Sequence, residues 1–386
     1  MKVLGIVVEY NPFHNGHIYH INKAKEIISP DYTIAVMSSS FVQRGEPAII
    51  DKWSRSELAV HYGVDLVIEL PFVYSVQSAD YFAKGSIELL NAIGVTDLCF
   101  GSEDGNIETF ITIAKAIKDN EDHYNNLVKT YMNQGLRYPD ACNQSLNDIL
   151  GKEIRTPNDL LGLSYVKEII FNNYKMTPHC ITRTNDYHSE EISSIASASA
   201  IRTAIRQNED ISMSLPSPDR YKDETYHLSM FYPYLKHSIM MSSLEELKSY
   251  HMVEEGLENV LMKSITQSEN MESFIDSLLS KRYTKPRIQR MLIHILMKNK
   301  KEDISKAMKI DYIRILNMNE NGRLYLNRIK KECDYKIITN LSKHNHPALD
   351  IELKATKLLS LIAKTDLITK EFAYIPYKTT KTTDAQ

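Results

Sequence analysis

The sequence is poor in cysteine and has no long hydrophobic run, and each absence argues against a class of protein. No stretch approaches the ~18 consecutive apolar residues that a membrane-spanning helix requires. The cysteines, Cys99, Cys142, Cys180 and Cys333, are scattered and form no C-x-x-C pair, so the sequence indicates neither a zinc knuckle nor a disulfide framework. We therefore expect a protein of the reducing cytoplasm, with no membrane partner and no metal held by a protein cage.

Signals for secretion and for repetition are also lacking. Residues 1–10 are apolar but have no extended basic segment and no small-residue cleavage site, so they predict a first strand, not a signal peptide. The chain has no internal repeat, and residues 378–386 predict a frayed tail. The pattern does not indicate an oligomeric state.

The charge is small overall but unevenly distributed. The net charge is −3 for the whole chain. Residues 1–215 carry 18 Lys and Arg against 27 Asp and Glu, whereas residues 216–386 carry 28 against 22. A basic back half in a nearly neutral protein is a feature of proteins that meet a polyanion, although it does not prove one.

The front half predicts an α/β fold with a doubly wound, Rossmann-like parallel sheet. Short apolar runs alternate with helical patterns, as in sheets whose strands are joined by right-handed crossovers. Ligands of such sheets bind beyond the carboxyl ends of the strands. The predicted strands are residues 3–8, 32–37, 65–70, 97–101 and 179–183.

The pattern changes near Leu215, where Pro216 and Pro218 form a linker-like stretch. Beyond it the periodicity is mainly helical, for example over residues 243–254, 288–298 and 351–362. We therefore predict a nucleotide-binding domain at 1–215 and a mainly α-helical, basic domain at 216–386.

The strongest motif follows the first strand, in the run Glu9-Tyr10-Asn11-Pro12-Phe13-His14-Asn15-Gly16-His17. A strand-to-helix turn presents backbone N–H groups and the positive end of a helix dipole to phosphates. Gly16 allows close approach of the backbone. His14 and His17 lie on the same side of the first turn and can donate hydrogen bonds to charge that develops during attack on an α-phosphate. We predict that these two histidines are catalytic.

Two other interpretations of the histidines remain at this point. Both could simply cap a helix. A metal site would need a third and a fourth ligand, and no His, Cys or Asp cluster lies nearby in the sequence.

The run resembles the F-x-P-x-H-x-G-H pattern of HxGH nucleotidyltransferases, with Tyr10 in the aromatic position. More narrowly, residues 7–17 resemble the start of the bacterial tRNA(Met) cytidine acetate ligases. The likeness continues in the stretches at 41–48, 51–55, 63–71, 100–103, 157–162 and 286–290. It spans most of the chain but is dense only to about residue 205.

The resemblance implies an ATP-dependent ligase. Such enzymes activate acetate as acetyl-adenylate and acetylate the N4 amine of the wobble cytidine of elongator tRNA(Met), releasing AMP and pyrophosphate. ATP would be the co-substrate, with Mg²⁺ on its phosphates, although no carboxylate ligand for the metal can be identified in the sequence. The implied ATP-binding residues are Val7, Val8, Glu9, Tyr10, Asn11, Pro12, Phe13, His14, Asn15, Gly16, His17, Ile18, Tyr19, His20, Gly101, Asn158 and Arg183.

The last three of these residues also have plainer interpretations. Gly101 is equally a turn glycine. Asn158 precedes an apolar helical pattern and is a preferred N-cap residue. Arg183 ends a predicted strand, where a guanidinium can clamp a phosphate or simply face solvent. A departure from the family pattern after Arg183 leaves the contact of Thr184 with nucleotide open.

The segment Ser197-Ala198-Ser199-Ala200-Ile201-Arg202 resembles the second HxGH signature, in which a Ser/Thr-rich turn enters a helix with a basic residue. Ser197, Ser199 and Arg202 are candidate phosphate contacts, because hydroxyls and amides at a helix start suit phosphate oxygens. Ordinary serine capping is the alternative.

The back half contains a basic segment over residues 281–290, with five positive charges and no acidic residue. Tyr283 adds an aromatic ring on which a base can stack. A solvated charged face is the ordinary interpretation of such a run. The candidate tRNA contacts are Lys281, Arg282, Lys285, Arg287 and Arg290.

A second polar group, Gln43, Arg44, Lys52 and Arg55, follows the second predicted strand. These side chains could contact RNA or hold a lid. We interpret them as a charged surface cluster and leave them outside the catalytic set.

Two rival functions share the first motif. One is an adenylyltransferase that acts on a phosphorylated metabolite to make a dinucleotide-type cofactor. The other is a non-catalytic RNA-binding protein whose nucleotide site is a switch. Neither the base nor the tRNA that is modified, nor the selection of acetate, follows from the residues alone.

Overall fold

The computed structural model describes residues 1–154, 156–183, 196–254 and 256–377. Thr184 and the predicted frayed tail at 378–386 lie outside the described residues. None of the helices in the described ranges is both long enough and apolar enough to cross a membrane.

The strands of the described chain agree closely with the five predicted ones and include four more. They are β1 Val3–Val8, β2 Tyr32–Ser38, β3 Phe41–Val42, β4 Glu46–Pro47, β5 Leu66–Leu70, β6 Asp97–Ser102, β7 Thr177–Thr182, β8 Tyr312–Met318 and β9 Lys336–Ile338.

The helices connect these strands and make up most of the back half. Those of the front half are α1 Asn15–Ile28, α2 Lys52–His61, α3 Phe72–Ser75, α4 Ala79–Ala92, α5 Ile107–Asp119, α6 Glu121–Asn133, α7 Tyr138–Leu150, α8 Pro157–Phe171 and α9 Ala198–Gln207. Those of the back half are α10 Tyr232–Met241, α11 Leu244–Ser249, α12 Leu257–Gln267, α13 Met271–Leu278, α14 Lys285–Leu296, α15 Lys301–Ala307, α16 Glu320–Ile329, α17 Pro347–Ser360 and α18 Leu367–Ala373. Short 3₁₀ helices span Pro218–Tyr221, Leu228–Phe231 and Leu341–Lys343.

A single large sheet organises the described chain, with the strand order β7-β6-β1-β2-β5-β8-β9. Neighbouring strands run parallel except β5 and β8, which pair antiparallel. The chain leaves β1 toward β2 on one side and returns later to place β6 on the other. The carboxyl end of β1 is therefore a topological switch point, where such sheets bind ligands.

Both faces of the sheet are covered, as the apolar run of β1 predicts for a doubly buried strand. Leu4 and Ile6 belong to one buried apolar cluster. Val3 belongs to a second, larger cluster on the opposite face. The predicted α/β, doubly wound fold is confirmed.

The back half is more than a helical appendage, because β8 and β9 complete the sheet. The sequence pattern predicts no strand there. The larger apolar cluster also runs from Val3 to Leu367, so the boundary at 215/216 does not separate two cores. The functional division between the two halves remains a proposal.

A buried ionic cluster joins the halves beside β5. The Nζ of Lys52 lies 2.6 Å from Glu69 Oε1 and 2.8 Å from Glu371 Oε1. Arg314 pairs with Glu69 at 3.2 Å and with Glu371 at 2.5 Å, and Glu352 lies 3.7 Å from Lys52. All five side chains are at most 1% exposed. Charges this deeply buried are tolerated because each has a partner of opposite sign.

Candidate active site

A cavity of about 370 Å³ opens at the switch point, beside the carboxyl ends of β1, β6 and β7. Small-molecule sites fall in this size range. Predicted residues that line it are Val7, Val8, Glu9, Tyr10, Asn11, His14, Gly16, His17, Tyr19, His20, Gly101, Asn158, Arg183, Ser197, Ser199 and Arg202.

Four of the predicted ATP-binding residues are not among the lining residues, namely Pro12, Phe13, Asn15 and Ile18. Phe13 is buried, and its N–H donates to the hydroxyl oxygen of Tyr221 at 3.1 Å. Asn15 bonds to Ser214 through its backbone and to the carbonyl of Met213 through its side chain. Phe13 and Asn15 therefore fix the loop that carries the histidines, while their contact with ATP stays a prediction.

The two histidines form a stacked pair at the start of α1, with ring centroids 3.8 Å apart. His14 caps the helix, and its Nδ1 accepts the N–H of Gly16 at 3.1 Å. The Nδ1 of His17 accepts the N–H of His14 at 3.2 Å. Because each Nδ1 accepts a hydrogen bond, the neutral ring carries its proton on Nε2. Helix capping and phosphate binding are therefore compatible, because the backbone hydrogen bonds use Nδ1 and leave the Nε2–H available for a phosphate oxygen.

The protonation state of the histidines supports the same conclusion. Burial, with Arg183 and Arg202 nearby, lowers the pKa of His14 to about 4. Burial, with His14, His20 and Arg183 adding to it, lowers the pKa of His17 well below its usual value. Both rings are therefore neutral N–H donors at neutral pH.

The backbone amides at the start of α1 are already engaged. The N–H of Asn15 donates to Ser214, that of Gly16 to the ring of His14, and that of His17 to the carbonyl of His14 at 2.8 Å. The sequence motif predicts that these amides bind phosphate. In this arrangement the imidazole Nε2–H groups are better placed to do so.

The opposite wall contains Gly101, Asn158 and Arg183. Gly101 lies within β6, so the turn-glycine interpretation does not hold; a Cβ there would lie 3.4 Å from the Cγ of Arg183. Asn158 is not the N-cap of α8, which is Thr156. Its side-chain amide instead donates to Glu103, whose Oε1 lies 3.9 Å from the Nε of Arg183.

Asp159 supports this wall and was missed in the sequence. It is buried, and its carboxylate accepts hydrogen bonds from the hydroxyls of Ser102 at 2.6 Å and Thr156 at 2.5 Å and from the N–H of Glu103 at 2.9 Å. It therefore ties the end of β6 to the start of α8. An acidic residue in the first turn of a helix was the available signal, but it ordinarily indicates favourable helix-dipole placement alone.

The start of α9 forms a third side of the cavity. Ser197 is its N-cap and accepts the N–H of Ala200 at 3.2 Å, as the capping alternative predicts. Arg202 donates to the carbonyl of Asn11 at 2.8 Å and also lines the cavity. Phosphate contacts by Ser197, Ser199 and Arg202 stay predictions.

The predicted surface cluster after β2, which consists of Gln43, Arg44, Lys52 and Arg55, divides into two parts in the structure. Gln43 and Arg44 line the cavity, although the sequence analysis left them outside the site. Lys52 and Arg55 are fully buried, so the surface-cluster interpretation is wrong for them. Arg55 donates to the carbonyl of Glu9 at 2.6 Å and to that of Ser39, and so anchors the end of β1.

The basic segment lies in the connection after α13 and in the first half of α14, and its residues are not among those that line the cavity. Lys281, Arg282 and Lys285 are exposed. Arg287 lies 3.6 Å from Glu254, and its guanidinium is 5.0 Å from the Tyr283 ring centroid.

Arg290 differs from the other basic residues of this segment. It donates to the carbonyl of Gln43 at 3.1 Å, and burial lowers its pKa to about 10. In this structure Arg290 therefore supports the cavity wall, although tRNA contact by it remains untested.

Comparisons with a family model, with related sequences and with solved structures all indicate the same family. A family model described as HIGH Nucleotidyl Transferase matches residues 1–372. The tRNA(Met) cytidine acetate ligase of Bacillus subtilis is 39% identical over 98% of this chain and 97% of its own length. That of Oceanobacillus iheyensis is 40% identical over 96% of this chain and 98% of its own length.

Solved structures agree. Apo Thermotoga maritima TmcAL is 32% identical, with a TM-score of 0.89 over 97% of this chain and 99% of that chain. The same protein bound with alpha-thio ATP gives a TM-score of 0.88 over the same shares. The chain therefore belongs to the HIGH nucleotidyl transferase family and, within it, to the tRNA(Met) cytidine acetate ligases.

Proposed function

We propose that this protein activates acetate with ATP and acetylates the N4 amine of the wobble cytidine of elongator tRNA(Met). The observation that carries the proposal is the stacked pair of neutral imidazoles, His14 and His17, at the switch point of the sheet. Because both rings are neutral, their Nε2–H groups can donate hydrogen bonds to the charge that develops on the α-phosphate, and neither ring has to lose a proton first.

The first step forms a mixed anhydride. An oxygen of acetate attacks the α-phosphorus of ATP, the bond to the β-phosphate oxygen breaks, and pyrophosphate leaves. Positioning and electrostatic stabilisation supply most of the catalysis in such a reaction. Arg183 and Arg202, which line the same cavity as the histidines, would neutralise the phosphates.

The second step transfers the acetyl group. The cytidine N4 attacks the carbonyl carbon of acetyl-adenylate, a C–N bond forms, and AMP leaves with the former acetate oxygen.

Mg²⁺ would enter with ATP. Two carboxylates, Glu9 and Glu46, line the cavity, and each already accepts a hydrogen bond, from Gln43 N–H at 2.7 Å and from the Gln289 amide at 2.9 Å. Mg²⁺ in nucleotide sites is held largely by phosphate oxygens and water. The cavity therefore suits a metal carried by the substrate.

Residues 216–386 would hold the tRNA while residues 1–215 carry the chemistry. The net charges of the two parts have opposite signs, and the exposed Lys281, Arg282 and Lys285 would contact phosphates. Since ATP and tRNA are both cytoplasmic, we place the protein in the cytoplasm.

Acetate-dependent exchange of labelled pyrophosphate into ATP separates this proposal from its rivals. The ligase exchanges label when acetate is present. An adenylyltransferase would exchange it with a phosphorylated metabolite instead, and a nucleotide switch would not exchange it at all. Absence of exchange with both acetate and tRNA present would refute the proposal.

The histidines are the direct target of mutation. We expect His14→Ala and His17→Ala each to reduce the exchange rate by about 100-fold or more, the range seen when one donor to developing charge is removed. tRNA affinity, measured by filter binding, should stay nearly unchanged. His123→Ala, at an exposed position on α6, is the matched control. Undiminished exchange in both variants would remove the catalytic assignment.

A further inference from the structure

The acetyl-transfer step, on which this inference rests through the proposed function, also moves a proton. As the N4–C bond forms and AMP leaves, the amine must lose one proton to an acceptor. A side chain positioned to take it contributes about 10²–10⁴-fold to the rate. The cavity must therefore contain an acceptor within reach of N4, unless bulk water performs this role.

The paired histidines cannot serve as that acceptor in the observed arrangement. The Nδ1 of His14 and of His17 each accept a backbone N–H, so each Nε2 already carries the ring proton. Burial, with Arg183 nearby, lowers the pKa of His20 to about 4, which makes it a weak base. The carboxylates of the cavity remain.

Two glutamates line the cavity, and they differ in their surroundings. Glu46 lies on β4, and its Oε1 accepts the side-chain amide of Gln289 at 2.9 Å. Glu9 directly follows β1 in the connection that leads to His14. Its Oε1 accepts the N–H of Gln43 at 2.7 Å, and no described residue donates a hydrogen bond to its Oε2. Glu9 therefore has a free acceptor atom beside the histidines.

We propose that Glu9 is the general base of acetyl transfer, taking the N4 proton on its carboxylate as the C–N bond forms and the bond to AMP breaks. No other reactant is required. The products are the acetylated cytidine, AMP and a protonated Glu9 that returns its proton to solvent.

The chain holds Glu9 from two sides, as a base that must meet a defined atom requires. Arg55 fixes its backbone carbonyl at 2.6 Å. Gln43 fixes the Glu9 side chain and is held in turn by two hydrogen bonds. The Gln43 carbonyl accepts from Arg290 at 3.1 Å, and the Gln43 side-chain amide donates to the carbonyl of Gln77 at 3.2 Å. Arg290 and Gln77 are thus positioning residues.

Burial outweighs the positive charges around Glu9, so the pKa of its carboxyl is raised. The Gln43 N–H and the charges of Arg44, Arg55 and Arg202 oppose that rise. Tyr165, on α8, also interacts electrostatically with Glu9. A raised pKa strengthens the carboxylate as a base and predicts that the transfer rate falls when acid protonates it.

The test separates the two steps in the full-length protein. Glu9→Gln keeps the hydrogen-bond acceptor for Gln43 but removes the basic oxygen. Because Glu9 also lines the ATP cavity, acetate-dependent pyrophosphate exchange measures any loss of ATP binding, and the exchange that remains shows that the variant folds. The fall in acetyl transfer should exceed any fall in exchange. Acetyl transfer to tRNA in a single turnover from pre-formed adenylate should fall by about 100-fold or more. The acidic limb of the wild-type pH–rate profile for transfer should vanish in the variant.

Two further variants sharpen the test. Glu9→Asp keeps a carboxylate but draws it back, and should give an intermediate transfer rate. Glu88→Gln, which alters a half-buried glutamate bonded to Tyr335 outside the cavity, is the control and should change neither step.

Three results would overturn the inference. Exchange and transfer falling by the same factor in Glu9→Gln would mean that Glu9 only binds ATP. An unchanged transfer rate would mean that it takes no proton. A selective loss of transfer in Glu46→Gln instead would assign the base to the other carboxylate. No exchange in the wild-type protein would refute the proposed function itself.

Discussion

At the scale of single residues, the site depends on which nitrogen of each histidine is free. Backbone N–H groups occupy Nδ1 of His14 and His17, and this leaves both Nε2–H groups as donors. An H-x-G-H sequence alone predicts two histidines on one side of a helix. The hydrogen bonds to Nδ1 determine that they act as neutral donors rather than as bases.

The low pKa values of these histidines lead to a prediction about pH. Because burial lowers the pKa of His14 to about 4, lowering the pH from 7.5 to 5.5 should not protonate it. The acetate-dependent exchange rate, measured at saturating acetate, should therefore change by less than about threefold over that range. Below pH 5 protonation of Nδ1 would break the bond from Gly16, and the rate should fall. An inflection near pH 6.5 would contradict the assignment.

The sequence predicts the first wall of the site better than the others. An apolar run followed by Asn-Pro and two histidines is a local pattern, and residues that are neighbours in the sequence are also neighbours in the folded strand-to-helix turn. The roles of Gln43 and Glu46 depend on Gln289 and Arg290, which lie more than 240 residues further along the chain. No local signal contains such a pairing.

At the scale of elements, the turn between β3 and β4 connects the two halves at the cavity. It contributes Gln43 and Arg44 to the cavity and packs against α14 of the basic segment. Gly45 makes this contact possible. It has a φ of +79°, and a Cβ there would clash with the backbone of Arg290.

We therefore predict that Gly45→Ala lowers the free energy of unfolding by about 2–4 kcal/mol, combining strain at positive φ with a backbone clash. It should also raise the KM for ATP, because the turn lines the site. Gly135→Ala is the matched control, since Gly135 has a φ of +94° but nothing within 4 Å of its Cβ. Urea unfolding of both variants measures the difference, and equal losses would show that the packing against α14 is unimportant.

The strands of the back half show where element prediction fails. β8 contains Arg314 in its middle, and a buried arginine does not fit a pattern for an interior strand. It is accommodated because Glu69 and Glu371, distant in sequence, pair with it. By contrast, β1 is a nearly unbroken apolar run and was predicted with its observed bounds.

At the scale of the whole molecule, the ionic cluster of Lys52, Glu69, Arg314, Glu352 and Glu371 fastens the back half to the sheet. Burial raises the pKa of Glu352 to about 8. Burial opposes ionisation of Glu371 as well, but Arg314 and Lys52 outweigh it and lower its pKa to about 2. Burial therefore favours the neutral form of Glu352, while the neighbouring cations keep Glu371 ionised.

Replacing one charged residue of this cluster should destabilise the protein, because the remaining buried charges lose a partner. We predict that Arg314→Met lowers the free energy of unfolding by about 3–5 kcal/mol, because Glu69 and Glu371 then share the single positive charge of Lys52 in a buried site. Arg323→Met is the control, since Arg323 pairs with Glu320 at the surface, with side chains 48% and 50% exposed. Its effect should stay below about 1 kcal/mol. Similar losses of stability in the two variants would argue against a structural role for the cluster.

The charge difference between the halves predicts how tRNA binding depends on salt. Replacing Lys281, Arg282 and Lys285 by alanine should weaken tRNA binding. It should also make the plot of log affinity against log salt less steep, by about 0.7–0.9 for each phosphate that is no longer neutralised. Acetate-dependent exchange without tRNA should be unaffected, because these residues do not line the cavity.

The control carries the same number of changes in the acidic half. Alanine at Lys129, Lys152 and Lys175, which are exposed, should leave the salt dependence as in the wild type. A slope that changes equally in both triple variants would place the tRNA elsewhere on the surface.

The central claim is that this site joins acetate to a tRNA cytidine at the expense of ATP. The most direct test is nucleoside analysis of tRNA(Met) and of a second tRNA after incubation with the protein, ATP and labelled acetate. We predict label in N4-acetylcytidine of tRNA(Met) alone, none without ATP, and label that forms about 100-fold more slowly or less with His14→Ala. Label that is absent from tRNA(Met), or that appears in a nucleoside other than cytidine, would contradict the account.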